Sequence, residues 1–173
     1  IQASRNVEIK ARIPSEEDYK RKVEIAKKLT STPGEIIPQK DVFFNTKQGR
    51  LKLRYLQNTK SQLVYYNRPD QAGPKLSEYY LSGTDEPESL EKILSATNGV
   101  IGCVEKERLL FLHQGTRIHL DNVRGLGHFL EFEVVLTPEQ TVEEGDEFAK
   151  HLMEVFEVKE SDLMTGAYMD EIL

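Results

Sequence analysis

The sequence predicts an α+β fold whose main part is an antiparallel β-meander that is closed or strongly curved. Two observations support this prediction. Apolar and polar residues alternate in a series of short segments, and turn residues such as glycine, asparagine and proline separate them. Segments with helical apolar spacing follow the first of these strands, interrupt the meander once and close the chain.

The predicted elements follow one another without a linker, an internal repeat or a low-complexity run, so we expect one domain over residues 1–173. A first strand over residues 7–13 stops at Pro14, and Ser15 begins a helix that reaches about Leu29. The remaining predicted strands cover residues 36–45, 50–55, 62–67, 75–81, 100–112, 117–123 and 129–136. The remaining predicted helices cover residues 87–97, 138–156 and 161–173.

Composition limits the partners of the protein and its location. A net charge of −6 argues against binding to a nucleic-acid polymer, which needs a basic surface. No apolar run is long enough to span a bilayer and no signal-peptide pattern occurs, so we expect no membrane partner. The single cysteine, Cys103, cannot form an internal disulfide and is expected to be a buried structural thiol. These features favour the cytoplasm.

One predicted strand carries three cations on a single face. Alternate side chains of a strand share a face, so Arg50, Lys52 and Arg54 line one side and the apolar residues between them line the other. Like charges in a row repel one another, and no acidic residue in this strand relieves the repulsion. A wet outer face and a binding site for a charged anion both fit this pattern.

Other predicted strands also carry rows of charged residues, and some of these rows contain carboxylates. Their polar rows are Glu8, Lys10 and Arg12; Lys75 and Glu78; Lys106 and Arg108; Arg117, His119 and Asp121; and Glu131 and Glu133. In a barrel, alternate residues point inward, so these rows could converge on one lumen. Spacing alone equally allows each row to face solvent separately.

A shared lumen would suit a polyphosphate with divalent cations. Arginine and lysine side chains would bind the phosphate oxygens, and carboxylates would hold Mg²⁺ or Mn²⁺. The four histidines show no metal-ligand spacing and are expected to be surface or core residues. The sequence contains no glycine-rich phosphate loop and no recognisable serine or cysteine nucleophile.

Several segments, in this order and spacing, together resemble the CYTH, or triphosphate tunnel metalloenzyme, superfamily. They are residues 7–13, 50–54, 73–78, 106–108, 119–121, 125–127 and 131–133. The class IV adenylyl cyclase-like branch is the most similar, and thiamine triphosphatases and inorganic tripolyphosphatases are relatives. The resemblance implies an eight-stranded antiparallel closed β-barrel, the triphosphate tunnel, with flanking helices.

The resemblance also implies a function. The leading expectation is a Mg²⁺- or Mn²⁺-dependent phosphohydrolase that acts on inorganic tripolyphosphate or on an organic triphosphate. One alternative is a class IV adenylyl cyclase that converts ATP into cyclic AMP and pyrophosphate, and another is a non-catalytic module that binds phosphoanions or nucleotides. The implied partner is a small-molecule triphosphate or nucleotide, with a homodimer as one option for assembly.

The resemblance and the polar rows together nominate site residues. The expected substrate-binding residues are Lys10, Arg12, Arg50, Lys52, Arg54, Lys75, Lys106 and Arg108, of which Lys10 and Arg54 are the expected catalytic groups. The expected metal ligands are Glu8, Glu78, Asp121, Glu131 and Glu133. Asn6 departs from the family pattern, which has an acidic residue there. Its amide keeps a carbonyl oxygen but lacks the charge, so metal affinity should be lower.

Overall fold

The computed structural model describes residues 4–67, 69 and 71–165. The elements in chain order are β1 (Ser4–Ile13), α1 (Glu16–Thr30), β2 (Glu35–Phe44), β3 (Arg50–Tyr55), β4 (Ser61–Asn67), β5 (Lys75–Thr84), α2 (Pro87–Thr97), β6 (Val100–His113), β7 (Thr116–Val123), β8 (Gly127–Leu136) and α3 (Val142–Val155). A short 3₁₀ turn, Glu160–Asp162, follows α3.

The eight strands form one closed antiparallel barrel in the ring order β1-β5-β4-β3-β2-β6-β7-β8. This confirms the predicted α+β class and the eight-stranded closed barrel. Closure satisfies the backbone hydrogen bonds of both strand edges, and it sends alternate side chains to the inside and the outside. Pro38 lies in the part of β2 that pairs with β6 only, since the pairing of β2 with β3 begins at Lys40.

The helices cover the outside of the barrel. Ser15 caps α1 as predicted, because its hydroxyl accepts a hydrogen bond from the backbone N–H of Asp18. Helices α1 and α3 pack on one side of the barrel, where they bury the largest apolar cluster against outward-facing residues such as Ile118 and Phe132. Helix α2 packs on β2 and β3.

Three sequence-based expectations need correction. Helix α3 begins at Val142 rather than at Pro138, because Thr141 and Glu144 form a capping box that starts the helix there. Cys103 is exposed rather than buried, since it lies on the outer face of β6. The predicted last helix is replaced by the Glu160–Asp162 turn up to Thr165, and its remaining part, residues 166–173, lies outside the described residues.

An apolar cluster fills the barrel at the end where β1 finishes. Its buried members are Phe43, Val104, Val123, Phe129 and Met164. The segment that carries Met164 runs beside β1 beyond Glu8, the partner of the first residue of β5. Leu163 pairs with Ala11, and the N–H of Met164 donates to the carbonyl of Lys10 at 2.9 Å. The described residues therefore close this end of the barrel. Within the described part of the chain, no helix is long and apolar enough to cross a lipid bilayer.

Replacing Gly145 in α3 with alanine should destabilise the protein although alanine favours helix. A Cβ atom there would lie 2.8 Å from Leu136 Cδ2 and 2.8 Å from Val7 Cγ2. Overpacking of this kind costs about 1–3 kcal/mol, which exceeds the gain of about 1 kcal/mol in helix propensity. Urea unfolding of Gly145→Ala should show the loss. The exposed substitution Glu147→Ala in the same helix should change the stability by less than about 0.5 kcal/mol, and an equal effect of both would contradict the packing argument.

Candidate functional site

The inward-facing side chains surround a cavity of about 220 Å³ inside the barrel. Most of its wall is charged or polar. The charged lining residues are Glu8, Lys10, Asp41, Lys52, Arg54, Lys106, Arg108, Arg117, Glu131 and Glu133. Charges placed in a barrel lumen are shielded from bulk water, so each must find a partner within the lumen.

The basic side of the cavity is organised around one carboxylate, Asp41. Arg54 donates two hydrogen bonds to it, from Nε to Oδ1 and from Nη2 to Oδ2, both at 2.8 Å. Lys106 Nζ donates to Oδ2 at 3.3 Å, and Lys52 Nζ lies 3.7 Å from the same oxygen. Lys52 also lies 5.1 Å from the centre of the Tyr66 ring. Three cations from two strands therefore surround the two oxygens of one buried anion.

The acidic side is formed by adjacent residues of β1, β7 and β8. Glu131 faces Lys10 across the sheet, with the two charged groups 3.8 Å apart, and its Oε1 lies 3.0 Å from His119 Nδ1. Glu133 accepts a hydrogen bond from Arg117 Nε at 2.7 Å. Glu8 is the register partner of Glu133 on β1. Glu131 and Glu133 thus each stand beside a basic or imidazole group, while Glu8 accepts a hydrogen bond from Asn6 Nδ2 at 3.4 Å.

Arg108 connects the two sides. It donates two hydrogen bonds to Asp121, from Nε and Nη2, both at 2.9 Å, and its Nη2 lies 3.8 Å from Glu131 Oε1. Asp121 is completely buried. Burial alone would raise its pKa, but the adjacent Arg108 guanidinium holds the pKa of Asp121 well below the usual value. Asp121 therefore acts as a fixed counter-charge that orients Arg108.

Three residues on the acidic side have the geometry of a metal site. His119, Glu131 and Glu133 each offer one ligand atom, and these atoms lie within 4.8 Å of one another. Asn6 also lines the cavity, and its buried Oδ1 has no hydrogen-bond partner among the described residues. Carboxylate, amide and imidazole groups are all ligands of Mn²⁺, and the oxygen atoms also suit Mg²⁺. The residues present therefore fit a divalent cation.

The protonation states agree with this assignment. Burial alone would raise the pKa values of Glu131 and Glu133. At Glu131 the neighbouring Lys10 and His119 outweigh burial and lower the pKa. At Glu133 the neighbouring His119 and Arg117 have the same effect on the pKa. Burial and the nearby Arg108 charge lower the pKa of His119. At neutral pH the group therefore holds two carboxylates and a neutral imidazole, the forms that bind metal.

The basic side is under electrostatic strain. Burial, followed by the neighbouring Arg108 charge, lowers the pKa of Lys106 to about 7. Burial and the Arg54 charge lower the pKa of Lys52 well below its ordinary value. Burial alone would raise the pKa of Asp41, but Arg54, Lys106 and Lys52 hold it well below the usual range. One carboxylate does not balance so many cations, so an additional anion would be favoured here.

Most of the nominated residues come together in the cavity. Its lining contains Glu8, Lys10, Lys52, Arg54, Lys106, Arg108, Glu131 and Glu133. Asp121 lies behind this lining, in contact with Arg108.

Four nominated residues lie elsewhere. Glu78 is exposed, because Ser77 and Tyr79 are the residues of β5 that turn inward, and its expected role as a metal ligand in this cavity is therefore wrong. Lys75 is buried, and its ammonium group donates to the backbone carbonyls of Gln71 and Thr165.

The other two are arginines that are not among the described lining residues. Arg12 is exposed near the closed end, with its guanidinium 5.7 Å from the centre of the Phe129 ring. Arg50 is half-buried at the start of β3.

The sequence analysis missed Asp41, the residue around which the basic side is built. Asp41 shares the inner face of β2 with Gln39 and Phe43, and alternation could have identified it as a lone carboxylate in a strand with an apolar end. The sequence predicts that His119 is a surface or core imidazole, and the structure places it beside Glu131. Arg117 belongs to a polar row in the sequence, and in the structure it donates a hydrogen bond to Glu133.

The comparisons with known proteins agree with this geometry. The sequence matches the CYTH domain family over residues 4–168. The chain belongs to the CYTH domain family. Members of this family depend on divalent metal, bind small-molecule triphosphates or nucleotides and are typically enzymes. No curated protein gives a significant match.

Solved structures show the same fold. The PH1012 protein of Pyrococcus horikoshii OT3 superposes with a TM-score of 0.77 at 25% sequence identity, covering 95% of this chain and 98% of its own. A candidate adenylate cyclase from Vibrio parahaemolyticus has a TM-score of 0.73 at 20% identity, covering 96% and 97%. The Pct1 RNA triphosphatase of Schizosaccharomyces pombe has a TM-score of 0.51 at 13% identity, covering 91% and 80%. The last two likenesses show the fold alone.

The substitution Asp41→Asn should strongly destabilise the protein, because it removes the counter-charge of three buried cations. Breaking a buried ion pair at one partner lowers the free energy of unfolding by about 3 kcal/mol or more. Urea unfolding at neutral pH measures the change. Glu105→Gln provides a matched control, since Glu105 pairs with the exposed Arg124 at 2.7 Å, and surface pairs contribute less than about 1 kcal/mol. Equal effects of the two substitutions would show that Asp41 does not hold the basic side together.

The pH dependence of stability should report the buried ammonium of Lys106. Its folded pKa of about 7 lies below the unfolded value of about 10.4. The unfolded chain therefore binds the proton more tightly, and the stability rises with pH between these values. Lys106→Met removes this dependence, so the stability of the variant relative to the wild type should be greatest at pH 6 and should fall by about 3 kcal/mol by pH 9.

Urea unfolding at the two pH values measures this difference. The exposed Lys150, which pairs with Asp146 at 3.1 Å, supplies the control Lys150→Met, which should change the stability by less than about 1 kcal/mol at either pH because surface pairs contribute little. Parallel pH profiles for Lys106→Met and the wild type would contradict the assignment of the titration to Lys106.

Proposed function

We propose that the protein is a divalent-metal-dependent phosphohydrolase that cleaves inorganic tripolyphosphate or an organic triphosphate inside the barrel. The observation that carries this proposal is the opposition of two walls across one small cavity. One wall holds cations in excess of its carboxylate, and the other holds the group of candidate metal ligands. A polyanion with bound metal is complementary to both walls at once.

The basic wall is preorganised for phosphate oxygens. Arg54, Lys52 and Lys106 already converge on the oxygens of Asp41, so their donors are directed at an oxyanion before any ligand binds. Phosphoryl transfer depends mainly on such positioning and on neutralising charge on the phosphate oxygens. These side chains, with Arg108, would bind and orient the phosphate chain.

The acidic wall would hold the metal through Glu131, Glu133 and His119, with Glu8 and Asn6 beside them. A bound divalent cation would neutralise charge on the phosphate oxygens and hold them in register. The mixture of imidazole and oxygen ligands fits Mn²⁺ better than Mg²⁺. Asn6 supplies a neutral carbonyl oxygen where the family has a carboxylate, so this wall carries less negative charge than in other members.

Lys10 lies on the acidic wall, where β1 pairs with β8. Its ammonium is 3.8 Å from Glu131 and is buried. In this position Lys10 would hold the attacking water against the terminal phosphate, and a neighbouring carboxylate would take the proton that the water loses. The new bond joins the water oxygen to phosphorus, and the bond from phosphorus to the bridging oxygen breaks to release orthophosphate.

Identification of the products tests the proposal. The protein should release orthophosphate from tripolyphosphate or from an organic triphosphate when Mn²⁺ or Mg²⁺ is present, and chelation of the metal should stop the reaction. Cyclic nucleotide and pyrophosphate from ATP would instead establish a cyclase. Saturable binding without product under either metal would establish a non-catalytic binding module and contradict the hydrolase.

Two substitutions should separate the roles of the walls. Lys52→Met keeps the length of the side chain but removes a phosphate-binding charge, and it should lower kcat on the order of 10²–10³-fold. Glu133→Gln should instead raise the metal concentration needed for half-maximal rate, by about 10-fold or more. Steady-state kinetics with a metal titration measures both. Lys47→Met, at an exposed turn position, is the control and should leave both quantities unchanged. Unchanged kinetics in Lys52→Met would refute the phosphate assignment.

A further inference from the structure

Lys52 is held differently from the other two cations that surround Asp41. Arg54 donates two hydrogen bonds to Asp41 at 2.8 Å, and Lys106 Nζ donates to Asp41 Oδ2 at 3.3 Å. Lys52 Nζ lies 3.7 Å from Asp41 Oδ2, which is beyond hydrogen-bond distance. Among the described residues, the Lys52 ammonium finds no hydrogen-bond acceptor. Its N–H groups are therefore available to an anion in the lumen.

Two aromatic rings flank the Lys52 ammonium. Its Nζ lies 5.1 Å from the centre of the Tyr66 ring and 5.8 Å from the centre of the Phe43 ring. Phe43 is the register partner of Lys52 on β2, and Tyr66 lies on β4, two residues beyond Val64, the partner of Lys52 on that strand. Both rings are buried and line the cavity. The two strands that pair with β3 thus each place a ring beside the same lysine.

The charge of Lys52 needs support because most of its surroundings oppose it. Burial and the Arg54 charge on the same strand lower the pKa of Lys52, and Lys106 from β6 and Lys10 from β1 act in the same direction. Asp41 from β2 acts in the opposite direction, but its two oxygens already accept hydrogen bonds from Arg54 and Lys106. A further source of negative potential would therefore stabilise the charged form of Lys52.

The faces of the two rings supply such a potential. The π electrons of an aromatic ring attract a cation that lies within about 6 Å of the ring centre, and the attraction is stronger where water is excluded. The inward residues of β4 are Gln62, Val64 and Tyr66, so Tyr66 is the titratable group that this strand brings to Lys52. A ring face attracts the ammonium without occupying its N–H groups as a carboxylate does. The donors of Lys52 thus remain free for a ligand while its charge is stabilised.

We propose that Tyr66 and Phe43 are positioning residues, whose ring faces keep the Lys52 ammonium charged and directed at the phosphate chain. This inference rests on the proposed function for the identity of the anion, and it adds two residues that act through Lys52 without touching the substrate. The basic wall then balances its cations in two ways. Asp41 holds Arg54 and Lys106, and the rings hold Lys52.

Nuclear magnetic resonance of the lysine side chains tests the inference in the ligand-free protein. The chemical shift of the Lys52 Cε carbon, identified by its loss in Lys52→Met, follows the titration of the ammonium. In Tyr66→Leu the pKa of Lys52 should fall by about one pH unit, the size expected for losing one ring from a site that excludes water. Tyr66→Phe keeps a ring face, so the pKa of Lys52 should stay close to that of the wild type.

The direction of the change separates a ring that acts electrostatically from one that only fills space. Leucine is smaller than tyrosine and admits more water, and better solvation alone would raise the pKa of Lys52. An unchanged or raised pKa in Tyr66→Leu would overturn the proposal. Phe43→Leu tests the second ring in the same way, and it replaces Tyr66→Leu if that variant does not fold.

A matched control substitution is available on the same strand. Tyr65 neighbours Tyr66 but points to the outer face of β4 and is not among the described lining residues. Tyr65→Leu removes a ring of the same kind, and it should leave the pKa of Lys52 unchanged. An equal fall in Tyr65→Leu and Tyr66→Leu would show that the effect does not come from a ring beside the ammonium.

Binding of a phosphate chain gives a second readout. The ligand is tripolyphosphate with methylene groups in place of the bridging oxygens, measured by calorimetry with Mn²⁺ present. If binding needs charged Lys52, Tyr66→Leu should lose affinity increasingly as the pH rises, up to about tenfold, because a pKa lowered by one unit changes the charged fraction by at most that factor. Tyr66→Phe should bind as the wild type does. An equal loss at every pH would indicate a packing role and overturn the proposal.

The two readouts also separate this inference from the proposed function. If the wild type does not bind the phosphate chain, the proposed function fails, and the titration of Lys52 in the ligand-free protein still decides whether the rings hold its charge. If the wild type binds and the titration of Lys52 is the same in Tyr66→Leu, the role of the rings fails alone.

Discussion

The structure depends on one electrostatic constraint, the burial of many charges of both signs inside a closed barrel. A barrel interior has little water, so each charge must be balanced by a neighbour. Asp41 balances Arg54, Lys52 and Lys106, and Asp121 balances Arg108. The remaining cations face Glu131 and Glu133. These pairs explain how a lumen lined by so many charged residues can remain closed. Apolar residues could have filled the lumen with better stability, so the retained charge indicates a ligand.

In the closed barrel, the order of inward-facing residues along each strand becomes a change in polarity along the length of the lumen. Each strand contributes every second residue to the lumen, and the order of these inward residues follows the length of the barrel. Phe43 and Val104 are then at the floor, the charges are in the middle, and Ile37 and Leu110 are at the mouth. The proposed chemistry follows from this order, because the charged zone would bind phosphate and metal.

The positions of the strands could be predicted well from the sequence. Which face of each strand points into the lumen could be predicted less well. Arg50, Lys52 and Arg54 share a face in any extended segment, and the structure places Lys52 and Arg54 in the lumen. For Glu78 the sequence-based prediction placed the side chain on the wrong face of its strand. Strand β5 carries the polar or aromatic residues Ser77, Glu78 and Tyr79 in succession, so alternation there does not show which face is inside. Asp41 was missed because a single carboxylate forms no row, and its importance arises from cations on β3 and β6.

The sequence by itself determined the order of strands and helices, the family resemblance and the spacing of the charged rows. These features depend on local alternation, capping residues and turn residues, which act between neighbours in the chain. The tertiary structure decided which face of each strand points inward, that Asp41 joins cations from separate strands, and that His119 stands beside Glu131. It also decided which end of the lumen is closed and which presents an apolar mouth. Such features depend on the register between strands that are distant in sequence, and no local pattern specifies that register.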